Sequence, residues 1–258
     1  MSDAPLLQLD GVTMRFGGVT ALDRLSLEVR TGQIFSIVGP NGAGKTTVFN
    51  AITGVFRPVD GDIRLLGASI VGRKRNQIPR AGAARTFQNI RLFSEMTVLE
   101  NVLVGADAHH RTGVFGAILG APRHRREEAD GRAQARELLD LMGLEKRAFE
   151  PAANLSYGDQ RRLEVARAMA TGAQLLLLDE PAAGFNLTEK QELATLIRRI
   201  RDLGRTVLLI EHDVELVMGI SDRVAVLNFG HKIAEGLPSD IRDDPGVIDA
   251  YLGAPDAA

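Results

Sequence analysis

Gly39-Pro40-Asn41-Gly42-Ala43-Gly44-Lys45-Thr46 fits the pattern G-x-x-x-x-G-K-[ST] in full. Glycines reach backbone conformations closed to other residues, so successive N–H groups can fold around phosphate oxygens. A helix starting at Lys45 adds the positive end of its dipole. In such a loop Lys45 reaches the β and γ phosphates, and the Thr46 hydroxyl can ligate Mg²⁺. A second stretch, Leu175-Leu176-Leu177-Leu178-Asp179-Glu180, sets two acids after four leucines. That pattern describes a buried strand delivering two carboxylates at its C-terminal end, where ligands gather in open α/β sheets. Asp179 is expected to hold Mg²⁺, usually through water, and Glu180 to polarise an attacking water as general base. Alone, the two acids read equally well as a solvated strand end. Beside a phosphate loop they read as the other half of a nucleoside-triphosphate site.

Those residues need a scaffold, and the flanking patterns supply one. Residues 7–14 and 25–29 alternate apolar and polar, as strands do. Residues 34–38 form an apolar, β-branched run that leads into the glycine-rich loop, and a helix fits 45–53 before Gly54. Asp60-Gly61-Asp62 reads as a turn before a strand over 63–66. From 97 to about 169 the texture is helical, with a loop or loose helical hairpin over 105–122, a basic run at 123–126 and an amphipathic stretch over 127–142. Strand 175–178, helix 189–203, strand 206–210, helix 214–219 and strand 223–227 follow. Strand–helix alternation of this kind predicts an α/β fold on a mostly parallel sheet, with the helical middle as an inserted lobe. The tail from 238 reads as short helices with a polar, frayed end.

Bulk properties narrow the classes. The chain has 258 residues, 45% hydrophobic and 25% charged, with a net charge of -2. No global basic field points to nucleic acid. Without cysteine, disulfides and thiolate metal sites are excluded. Nor do His109, His110 and His124 read as zinc ligands, having no acidic or thiolate partners arranged around them. The first ten residues are too polar and too few for a signal peptide. The longest apolar runs have four residues, whereas a membrane span needs roughly twenty, so a membrane role requires a partner.

A third motif, Leu155-Ser156-Tyr157-Gly158-Asp159-Gln160, resembles the Leu-Ser-Gly-Gly-Gln signature of ABC ATPases, shortly before the Asp179-Glu180 strand and leading into a helix at 163–169. Read without that context, Ser156 is simply a helix N-cap. Three further positions fall in the family's order: Gln88 in Arg85-Thr86-Phe87-Gln88, His212 in Ile210-Glu211-His212-Asp213, and Phe16 near the start. Several stretches resemble the ATPase subunits of branched-chain amino-acid importers: Met14-Arg15-Phe16-Gly17-Gly18, residues 84–93, Pro181-Ala182-Ala183-Gly184, residues 216–223, and Asp249-Ala250-Tyr251-Leu252-Gly253. An insertion at Gly113-Val114-Phe115, followed by the basic run, agrees. Tyr157 and Asp159 depart from the general signature, and Asn186 stands where the family has aspartate.

The resemblance implies a P-loop NTPase core with a mostly parallel sheet, an antiparallel β subdomain and an inserted α-helical subdomain. The core is expected over about 1–95 and 171–258, and the helical part over about 96–170. It implies ATP and Mg²⁺ as cofactors. Gly39, Pro40, Asn41, Gly42, Ala43, Gly44, Lys45, Thr46 and Thr47 would cradle the phosphates, and Phe16 would stack on adenine. Gln88 would sense the metal and the attacking water, so Thr46, Gln88 and Asp179 form the metal set. Glu180 and His212 would be catalytic. Ser156 and Gly158 would meet the γ-phosphate held by a second copy. Two transmembrane permease subunits are implied, docking near 89–100, where Ile90, Arg91, Leu92 and Phe93 read equally as a docking patch or as ordinary packing. A second ATPase chain (same or sister, head to tail) and an extracytoplasmic substrate-binding protein complete the set, with no nucleic-acid partner. The expected place is peripheral, at the cytoplasmic face of the inner membrane. Amino-acid cargo rests on resemblance alone. Urea, short amides and aromatic acids are alternatives, as is a nucleic-acid-directed ATPase, although the chain has neither heptad arms nor a second phosphate loop.

Overall fold

The structure, a computed structural model, describes residues 4–86, 88, 90–106 and 122–252, without the side chains of 122–128 and 252. Expectations placed on Phe87, Asn89, residues 107–121 with His109, His110 and 113–115, the side chains of 123–126 with His124, and residues 253–258 lie outside the described residues. In chain order the elements are β1 (Leu7–Phe16), β2 (Val19–Val29), β3 (Ile34–Val38), α1 (Lys45–Ile52), β4 (Asp60–Leu65), β5 (Ala68–Ser69), α2 (Ile78–Ala81) and β6 (Ala83–Arg85). Next come α3 (Val98–Ala106), α4 (Pro122–Leu141) and α5 (Tyr157–Ala170). The chain closes with β7 (Leu175–Asp179), α6 (Leu187–Asp202), β8 (Thr206–Ile210), α7 (Val214–Ile220), β9 (Arg223–Asn228), β10 (His231–Gly236), α8 (Pro238–Arg242) and α9 (Pro245–Leu252).

Two compact units result, one of residues 1–88 with 174–258 and one of residues 89–173. In the first, a six-stranded sheet runs β10-β9-β3-β8-β7-β6. Its strands from β9 to β6 are parallel, and β10 is antiparallel at the edge. All five residues of β3, of β7 and of β8 are buried, as a sheet covered on both faces demands. A four-stranded antiparallel sheet, β2-β1-β4-β5, belongs to the same unit. Leu7, Leu9, Leu25 and Leu27 of that sheet share one apolar cluster with Phe49 and Ile52 of α1 and with Phe35, Leu177 and Leu208 of the large sheet. Each such side chain contributes about 1.5–3 kcal/mol over leaving it in water. This cluster is what anchors α1, and with it the phosphate loop.

The second unit packs α3, α4 and α5 against one another. Gly105 of α3 lies so close to α5 that an added Cβ would collide with the Arg167 carbonyl. Asn101, fully buried, ties down the segment before α3: its amide donates to the carbonyls of Phe93 and Thr97 at 3.0 Å each, and its Oδ1 accepts from the Phe93 N–H at 2.9 Å.

Several boundaries differ from the sequence expectation. The residues 60–62 expected as a turn belong to β4, because Gly61 takes φ +86° and its missing Cβ lets the Asp10 and Gly11 carbonyls approach. β2 begins at Val19 rather than 25. The helical texture of 97–169 is broken between α4 and α5 by short 3₁₀ turns. α5 starts at Tyr157 rather than 163, since the Ser156 hydroxyl accepts from the Asp159 N–H at 3.2 Å and so caps it. α6 starts at Leu187 rather than 189, behind a capping box in which Asn186 and Glu189 satisfy each other's backbone N–H.

Candidate active site

Parallel strands bring their C-terminal ends to one edge, and here the ends of β3, β8, β7 and β6 each lead to a predicted group. The phosphate loop follows β3, Asp179 ends β7 with Glu180 next to it, Glu211 and His212 follow β8, and Arg85 ends β6 three residues before Gln88. The order β3-β8-β7-β6 sets them side by side.

In the loop, Gly39, Gly42 and Gly44 all have positive φ. A Cβ on Gly39 would strike the Leu227 carbonyl, and one on Gly44 would lie 2.7 Å from the Ala21 carbonyl oxygen, so the loop is wrapped tightly by backbone. The first bond of α1 runs from the Val48 N–H to the Gly44 carbonyl at 3.1 Å. The amides of Lys45, Thr46 and Thr47 precede it and have no intrahelical acceptor. Lys45 is 5% exposed; its ammonium donates to the carbonyls of Gly39 at 2.6 Å and Pro40 at 2.9 Å. An ammonium has three donors, so one remains for a phosphate oxygen. Burial pulls the Lys45 pKa down, and the charge of Glu180 acts against that.

Three predicted residues converge on each other. One Glu180 carboxylate oxygen lies 2.7 Å from His212 Nε2, and the other accepts from the Gln88 amide at 2.8 Å. Glu180 itself adopts φ +48°, a left-handed conformation unusual for a glutamate, and its N–H donates to the Ile210 carbonyl at 2.9 Å. A carboxylate held between an amide and an imidazole, on a strained turn, is fixed in direction. That is the requirement for a general base that must meet one water.

Two residues beside them carry no assignment in the sequence reading. Arg85 makes a 2.6 Å ion pair with Asp179, both side chains nearly inaccessible. Glu211, 4% exposed, accepts from the N–H of Ala182 and of His212. Burial pushes its pKa up, the two backbone N–H bonds oppose this, and the Glu180 charge adds to the rise. Both are charged residues abutting apolar strands, the one signal in the sequence that could have marked them.

Phe16 is 39% exposed and meets Phe56 edge to face, ring centroids 4.9 Å apart. The signature residues belong to the second unit. There Ser156 caps α5, Gly158 sits in its first turn, Arg161 donates to the Tyr157 hydroxyl, and Asp159 pairs with Arg147 at 2.9 Å. Phe93 is exposed, with the Arg167 guanidinium 5.7 Å from its ring centroid.

As a metal set, Thr46, Gln88 and Asp179 offer oxygen donors only, with a single carboxylate. Among the described residues no cluster of three or more histidines or acids could cage an ion. Such a set fits Mg²⁺ that keeps its waters and shares its bonds with nucleotide phosphates. Among the same residues, no helix is long and apolar enough to cross a membrane.

A sequence model described as ABC transporter matches residues 22–183, and one described as branched-chain amino acid ATP-binding cassette transporter matches residues 231–257. The chain is 50% identical over 250 residues to the high-affinity branched-chain amino acid transport ATP-binding protein LivG of Escherichia coli (strain K12), covering 96% of this chain and 98% of that protein. To BraF of Pseudomonas aeruginosa, described in the same terms, it is 48% identical over the same shares. The fold superimposes on the crystal structure of the ADP conformation of MJ1267, an ATP-binding cassette of an ABC transporter, with a TM-score of 0.84 at 29% identity, covering 97% of this chain and 99% of that one.

Proposed function

The chain belongs to the ABC transporter family, as a nucleotide-binding ATPase, and we propose that it powers an importer of branched-chain or similar hydrophobic amino acids. Its 50% identity to LivG along nearly its whole length supports the cargo. One observation carries the hydrolytic mechanism: the Glu180 carboxylate fixed between His212 and Gln88. Glu180 takes a proton from water as the water oxygen attacks the γ-phosphorus, and the bond to the β–γ bridging oxygen breaks with ADP as leaving group. His212 and Gln88 hold that carboxylate and the water in line. Lys45 and the amides of Gly42 to Thr47 bind the phosphates, and Phe16 stacks on adenine. Thr46, Gln88 and Asp179 would hold Mg²⁺, which when bound neutralises developing charge on the phosphate oxygens.

Ser156 and Gly158 serve the γ-phosphate of a second ATPase chain in a head-to-tail pair, so binding closes the pair and hydrolysis reopens it. Two permease subunits receive that motion at the segment from Ile90 to Phe93, and an extracytoplasmic substrate-binding protein delivers the cargo. The ATPase then sits peripherally at the cytoplasmic face of the inner membrane. The test is uptake of labelled leucine by a bacterial strain expressing the complete importer with wild-type or Glu180→Gln ATPase. Uptake that stops with the variant supports motor and cargo together. Hydrolysis without leucine uptake refutes the cargo, and unchanged hydrolysis in the variant removes Glu180 from its role.

A further inference from the structure

We propose that Arg85 is a positioning residue for ATP hydrolysis, its guanidinium locking together the three elements that carry the metal set. The proposal rests on the reading of Thr46, Gln88 and Asp179 as that set.

One guanidinium nitrogen of Arg85 lies 2.6 Å from Asp179 Oδ2, at the end of β7. The other donates to Asn50 Oδ1 on α1 at 2.8 Å. Its plane is braced by the Phe49 ring, 5.4 Å from the guanidinium carbon to the centroid. Asn50 is four residues after Thr46, so the two share one face of α1, a single turn apart. Gln88 lies three residues beyond Arg85 on the same chain segment. The Arg85 side chain therefore spans the sites of all three donors: its own segment leads to Gln88, one nitrogen holds Asp179, and the other holds the helix of Thr46.

Chemistry explains why arginine stands here. The side chains of Arg85 and Asp179 are 7% and 5% exposed, so an unpaired carboxylate would be costly at this depth. A planar fork can satisfy a carboxylate and an amide oxygen at once along fixed directions, whereas an ammonium is a point charge that favours no plane. A neutral side chain of similar length would leave Asp179 free to rotate. Groups that hold a metal ligand in this way typically change metal affinity or activity by about 10–100-fold when removed.

The test compares full-length wild type with Arg85→Gln, Arg85→Lys, Asn50→Ala and Asp179→Asn. Mn²⁺ binding to the ADP-loaded protein is read by electron paramagnetic resonance, alongside ATPase kinetics. Arg85→Gln is expected to weaken Mn²⁺ binding about tenfold and lower kcat by a similar factor, with the ATP KM within about twofold. Arg85→Lys restores the charge without the fork and recovers only part of this. Asn50→Ala leaves the buried pair intact and weakens Mn²⁺ binding measurably but less than Arg85→Gln, which keeps the proposal testable if Arg85→Gln fails to fold. Mn²⁺ affinity and kcat at wild-type values in Arg85→Gln, or in Asn50→Ala where only that variant folds, overturn the role of Arg85. If Asp179→Asn also binds Mn²⁺ normally, the metal set itself is wrong. If Asp179→Asn loses Mn²⁺ while the Arg85 and Asn50 variants do not, only the present proposal falls.

Discussion

Glu211 Oε1 accepts a 2.7 Å hydrogen bond from the backbone N–H of Ala182, across 29 residues of sequence. The other oxygen accepts from the N–H of His212 at 3.1 Å. One buried carboxylate thus joins the turn after Glu180 to the turn that presents His212. Its pKa is raised, chiefly by burial, so between the ordinary carboxylate pKa and the raised one the folded state binds the proton better than the unfolded chain. Stability from this group is therefore lost as pH climbs through that window. Glu211→Gln keeps an oxygen acceptor and cannot ionise. Denaturant melts should show the stability difference moving in the variant's favour as pH rises above about 4.5, by about 1.4 kcal/mol for each unit of raised pKa, and staying constant below. Parallel pH profiles would remove Glu211 from this account.

Lys45→Ala should cost at least about tenfold in ATP affinity, or about 1.4 kcal/mol. The ammonium supplies a phosphate contact and also ties the loop through the Gly39 and Pro40 carbonyls. Titration with a fluorescent ATP analogue measures it, and normal binding would count against the phosphate-loop assignment.

Gly39→Ala should destabilise the fold by several kcal/mol, since a Cβ there meets the Leu227 backbone rather than a movable side chain. Gly18→Ala is the control: nothing lies within 4 Å of its Cβ, so its melt should stay within about 0.5 kcal/mol of wild type. Equal stability of the two variants would refute the tight wrapping of the loop.

Asn101→Ala removes the acceptor of the Phe93 N–H and the donor to the Phe93 and Thr97 carbonyls. The expected loss is about 3 kcal/mol. Hydrogen exchange at the Phe93 amide should accelerate, and unaltered protection there would show that the segment is held by something else.

The residues of the phosphate loop, Asp179, Glu180 and the capping Ser156 were legible in the sequence because each works through local backbone. A glycine-rich turn, a strand that ends in two acids and a helix cap are written in consecutive residues. Gln88 and His212 stood out only through resemblance, and their meeting on Glu180 needed the parallel order of β8, β7 and β6. Edge strand β10 escaped notice since none of its residues is fully buried, which leaves no apolar alternation to read, and β6 because it has only three residues. The Arg85–Asp179 and Glu211–Ala182 contacts join positions 94 and 29 residues apart. No periodicity encodes such pairs. Strand register aligns Asp179 with Ile210 and Arg85 with Leu177, and burial beside those strands leaves each charge no solvent to turn to. The local chemistry was therefore the property of the sequence, while the partners of its buried charges were chosen by the packing of the sheet.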